Sequence, residues 1–183
     1  MDRIVTGKDI WDSASKSGLA LGAVSCAYMA LSQLSASGIA GPNKGLAVLI
    51  SLLSILLWAA KFAGCIILMK LFMTRFASAH PGLTNNDTFK FGAATALLSA
   101  LIYSGFYLAY VTIIAPDTFA TVMETVTESY GSMLSPESIE AAENMNLASM
   151  SFFTNLIYCF LFGTVLSSIL SRNIPSRNPF EEQ

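Results

Sequence analysis

Four long runs in this chain are almost free of charge: Ser17 to Ile39, Leu46 to Phe72, Phe91 to Ala115 and Ala148 to Leu170. A helix needs about 20 mostly apolar residues to cross a hydrocarbon core about 30 Å thick. Each run is long enough, none contains Asp or Glu, and only Lys61 and Lys70 bring charge into one of them. Lipid cannot satisfy open backbone groups, so strands with free edges are excluded and helix is the conformation left. A transmembrane barrel would alternate in segments of about ten residues, and these runs do not alternate. The expectation is an all-α integral membrane protein, a single domain built as a four-helix bundle. Its spans cover about residues 17–39, 46–72, 91–115 and 148–170, with an external acidic helical loop over 116–147 and a tail over 173–183.

Composition closes the other routes. Charged residues make up 12% of the chain, about half the usual share of about 25%. Disorder and fibrous repeats do not fit so apolar a chain. A net charge of −2, a pI near 5.3 and the lack of a basic patch exclude a nucleic-acid partner.

Orientation follows from the basic residues. Arg3, Lys8 and Lys16 precede the first run, Lys70, Arg75 and Lys90 flank the second connection, and Arg172 and Arg177 follow the fourth. Those eight fall on one side, and Lys44 alone on the other. The positive-inside rule then puts both termini of a multi-pass protein in the cytoplasm. A cleaved signal peptide would explain the first run differently, with Ser35 to Gly38 imitating a cleavage site. Asp2, Asp9 and Asp12, however, cancel the positive charge that such a leader carries.

Lipid gives helices no hydrophobic reason to associate, so close packing depends on small residues at every fourth position. The first run offers Gly18, Gly22, Cys26 and Ala30, and the third Ala96, Ala100 and Ser104. The fourth offers Cys159, Gly163, Ser167 and Ser171, and the second Ala60 and Gly64. Packing inside one bundle is the favoured use, and a homo-oligomer through the Gly18/Gly22 stripe the other. Tyr103, Phe106, Tyr107, Tyr110, Phe152, Phe153 and Tyr158 crowd the outer halves of the last two runs. Tyr110 suits an interfacial belt; the others read as packing rather than as the lining of a ligand pocket. Cys26, Cys65 and Cys159 sit singly in three runs and suggest neither a disulfide nor a zinc site. His80, in a His-Pro-Gly turn, reads as a solvated residue rather than a ligand.

In the external loop, Phe119, Val122, Met123, Val126 and Tyr130 recur at helical spacing until Gly131 interrupts them. Ser135-Pro136-Glu137 reads as the cap and first residues of a second helix. All six charges here are acidic, and Glu124 and Glu128 share a face. A solvated face that enforces topology is favoured over a cation site. On the opposite side, Asn85-Asn86-Asp87-Thr88 reads as a turn and cap before the third run.

Lys61 breaks the local rule. Lysines can snorkel to an interface, but helical side chains tilt toward their own N-terminus, here away from the nearer surface. At matching depth lie Ser25, Ser99 and Thr164. The expectation is that Lys61 faces the bundle interior near these hydroxyls. It would be either uncharged or charged with an anionic lipid headgroup drawn to it. A lysine that only reaches the inner interface is the competing reading.

No motif for catalysis is present: no HExxH, no GxSxG, no phosphate loop and no intramembrane carboxylate pair. The chain from Thr88-Phe89-Lys90-Phe91-Gly92 through Ile113-Ile114-Ala115-Pro116-Asp117, with Leu134-Ser135-Pro136-Glu137-Ser138-Ile139-Glu140, resembles an uncharacterised four-span membrane family of Bacteroidetes-type bacteria that carries only a domain-of-unknown-function label. Ala93 departs from a pattern that often has a polar residue there. The resemblance implies fold and location, and a lipid-linked partner among enzymes of polyprenyl-phosphate glycans. The function expected is a non-enzymatic scaffold or accessory subunit of an inner-membrane complex, without cofactor or metal. A small transporter or lipid-handling protein is the alternative.

Overall fold

A computed structural model describes residues 6–37, 44–80, 82–130, 135, 137 and 146–174. Among the described residues the helices with given bounds are, in order, α1 (Gly7–Ser37), α2 (Lys44–Ala79), α3 (Asn85–Ala109), α4 (Thr118–Tyr130) and α5 (Leu147–Asn173). A π-helical turn, Tyr110–Ile114, extends α3. No strand occurs among the described residues. Three segments among them are long and apolar enough to cross a membrane: Ser54–Ala79, Asn85–Ile114 and Leu147–Asn173. The first expected span runs on to Ile39, and the helix expected from Ser135 runs through residues 138–145; both ends lie outside the described residues.

Two helices begin on the same device. Thr84 caps α3: its Oγ1 accepts from the Asp87 amide at 3.2 Å, while Asp87 Oδ2 accepts from the Thr84 amide at 3.4 Å and from its hydroxyl at 2.7 Å. This reciprocal box satisfies amides that the first turn would otherwise leave open. Thr6 and Asp9 repeat it at the start of α1. Asn85-Asn86-Asp87-Thr88, expected as a turn, is therefore already the first turn of α3. The chain reverses one step earlier, at Gly82, whose φ of +92° favours a residue without Cβ. α2 persists to Ala79, where His80 packs on Phe76 and places Nδ1 3.1 Å from its carbonyl. His80 thus closes a helix end and is not simply solvated.

α3 is the hub, with α1 parallel to it on one side and α5 antiparallel on the other. The contact is close because the small residues meet there. A Cβ on Gly18 would stand 2.7 Å from Leu98 Cβ, and one on Gly22 2.9 Å from Ile102 Cβ. On the other face, a Cβ on Gly163 would meet Ala96 Cβ at 2.5 Å, and one on Gly92 would meet Ser167 Oγ at 2.6 Å. The glycine stripe of α1 is thus spent inside the chain. Gly64 differs: nothing lies within 4 Å of where its Cβ would be, so α2 has no such smooth face in use.

The apolar core lies at the end that holds the α2–α3 turn. Ile10 and Ala14 of α1, Met69, Met73 and Phe76 of α2, Phe91 of α3 and Leu170 of α5 pack together there. Phe76 and Phe91 stack with centroids 4.2 Å apart. Toward its other end α2 leaves the bundle, and Leu52, Ile55, Leu56 and Trp58 are exposed. Phe153 and Tyr158 of α5 are exposed as well, so these two aromatics do not pack within the chain as expected.

Candidate functional site

Where α2 parts from its neighbours, the bundle encloses a cavity of about 160 Å³. Its wall takes Leu21 and Ser25 from α1, Lys61 and Cys65 from α2, Ser99 and Tyr103 from α3, and Cys159 and Gly163 from α5. Phe62 and Phe162, with ring centroids 4.8 Å apart, join α2 to α5 beside it. Trp58 and Tyr158 stand at the rim, 59% and 64% exposed. Their exposure puts the mouth on the side of the bundle, between α2 and α5.

Lys61 does not reach for an end of the bundle. Its Nζ lies 5.0 Å from the centroid of the Tyr28 ring and 4.7 Å from that of Tyr103. An aromatic face attracts a cation through its quadrupole, by about 2 kcal/mol or more when water is excluded. Two rings from two helices therefore hold the amine where no carboxylate lies within 4 Å among the described residues.

Of the hydroxyls expected around Lys61, Ser25 and Ser99 line its cavity. Ser25 donates to the Leu21 carbonyl at 3.0 Å. Thr164 does not line the cavity; it donates to the Phe160 carbonyl at 2.8 Å. The structure adds residues that sequence reasoning passed over. Tyr28 was given no role and Tyr103 was assigned to packing, although Tyr28 follows Ser25 by three positions and Tyr103 follows Ser99 by four. Those spacings put each on the face of its serine, the available signal.

Glu124 and Glu128 are exposed beside an open groove between α4 and the start of α5. No group of three His, Cys, Asp or Glu side chains that could hold a metal occurs among the described residues.

An all-helical chain with three segments able to cross a bilayer has the build of a multi-pass membrane protein. Residues 16–172 match the family described as protein of unknown function DUF4199, and the chain belongs to that family. No curated protein and no solved structure matches it.

Proposed function

We propose that this is a non-catalytic binding protein of the bacterial inner membrane that holds an amphiphile in the Lys61 cavity. In this reading α1 is the fourth span and both termini are cytoplasmic. One observation carries the reading: a lysine caged by two tyrosines lines a cavity whose mouth faces sideways, where lipid would lie. Intramembrane ionisable groups are costly and are kept mainly where they serve a site. The path is lateral, and among the described residues no helix is broken at mid-membrane, so binding fits better than transport across the bilayer. The test is lipid analysis of protein purified in mild detergent. Wild type should retain one amphiphile per chain and Lys61→Leu should lose it; identical lipid profiles would overturn the reading.

A second reading, an accessory subunit or scaffold, is favoured by the half of α2 that leaves the bundle with Leu52, Ile55 and Leu56 exposed. Enzymes acting on polyprenyl phosphates are the partners that the sequence resemblance implies. Crosslinking in native membranes should yield one defined partner through this face, and recovery of the chain alone would count against it.

A further inference from the structure

We propose that the ligand is an isoprenoid-type quinone: one carbonyl-bearing six-membered ring on a hydrocarbon tail. The inference rests on the reading that the cavity holds an amphiphile, and four observations narrow its class.

The first is depth. Lys61 lies two residues from the centre of the apolar run Leu46 to Phe72, about 3 Å along a helix axis. A ligand head that reaches it must leave the interface altogether. An ionic head must first give up its hydration to do this, at several kcal/mol that its attraction to Lys61 has to repay. A quinone brings no charge.

The second is size. The cavity measures about 160 Å³, and an apolar cavity of about 150 Å³ accepts benzene. The space is that of one six-membered ring.

The third is the donor set. Lys61 is the only cation on the wall among the described residues. Ser25 donates to the Leu21 carbonyl, so beside the Lys61 amine the wall offers only neutral donors, the Ser99 hydroxyl among them. A phosphate has three oxygens to satisfy and favours forked or multiple cationic donors. A ring carbonyl needs one or two neutral or charge-assisted hydrogen bonds. The amine has three N–H groups and two aromatic faces beside it, so at least one N–H remains for an acceptor.

The fourth is the route. Phe62, Tyr103 and Phe162 offer flat walls for a ring, and the mouth beside Trp58 and Tyr158 opens toward lipid, where a tail can stay.

The chain has two tryptophans. In a Trp11→Phe background, emission comes from Trp58 alone, at the mouth of the cavity. The protein would be placed in nanodiscs of zwitterionic lipid and titrated with a decyl-tailed benzoquinone, decanoic acid and decyl phosphate. The quinone should quench Trp58 saturably at one per chain, and Lys61→Met should weaken this at least tenfold. Decylbenzene, which lacks the carbonyls, should not displace the quinone from the unsubstituted cavity; that arm needs no cavity variant to fold. Saturable binding of the acid or the phosphate, with merely collisional quenching by the quinone, would overturn the quinone assignment and leave the amphiphile reading standing. If none of the probes binds saturably, both fall. Displacement by decylbenzene would reduce the site to an apolar slot and overturn the role of the carbonyls.

Discussion

At the scale of single residues, Lys61 sets stability against binding. A charged lysine at the middle of a spanning helix costs about 2.5–3.5 kcal/mol on insertion scales, and a desolvated cation–π contact returns about 2 kcal/mol. Lys61→Leu should therefore raise stability by about 1 kcal/mol while abolishing binding, as read from thermal unfolding in detergent. Tyr28→Leu should lower stability in the native background and lose that effect when combined with Lys61→Leu. This coupling is the signature of a cage, and additive effects would argue against one. Ser104 offers a cleaner case: its Oγ is buried with no hydrogen-bond partner. An orphaned hydroxyl costs about 1–3 kcal/mol, so Ser104→Ala should leave unfolding unchanged or shift it upward. The sequence carried part of this site. Depth counted along each helix put Ser25 and Ser99 at the level of Lys61, but depth says nothing about direction. Thr164 shares the level and is turned about 100° from Gly163, which faces the cavity.

At the scale of the helices, close approach is the main device. Because the Gly18 position also faces the Thr95 carbonyl oxygen at 3.1 Å, the backbone itself would have to move to admit a methyl group. Gly18→Ala should cost about 1–3 kcal/mol, whereas Gly64→Ala, with open space around it, should be neutral or better. Parallel unfolding curves of the two variants decide this. Thr84→Ala should cost about 0.5–2 kcal/mol through loss of the cap. Small residues every fourth position were readable in the sequence, and so was helix wherever apolar runs were long. Helix ends were less so. α1 begins at Gly7, ten residues ahead of its apolar run, because Ile10, Ala14, Gly18 and Leu21 keep one buried face through a charged segment. The Asn-Asn-Asp cluster looked like a turn, and only the pairing of Thr84 with Asp87 reveals it as helix.

Among the described residues, the molecule is tight at one end and looser along α2 toward the other. The packed end brings together the start of α1, the α2–α3 turn and the end of α5, the arrangement that both termini on one face would require. A reporter fused after Gln183 should be active only in the cytoplasm. Glu128→Cys should react with an impermeant thiol reagent added outside the cell; labelling only from inside would reverse the topology.

The turn after Tyr110 carries a different kind of consequence. There the Ala115 amide donates to the Tyr110 carbonyl, five residues back, at 2.9 Å, so one residue more than an α-turn needs has been absorbed without disturbing either flank. The chain's length should therefore be negotiable at this point. Deleting Ile113, which is 77% exposed, should let the turn close as ordinary α-helix, with the cavity on one side and α4 on the other still aimed as before. Deleting Leu98 from within α3 would swing everything beyond it by about 100° and tear the hub from both neighbours.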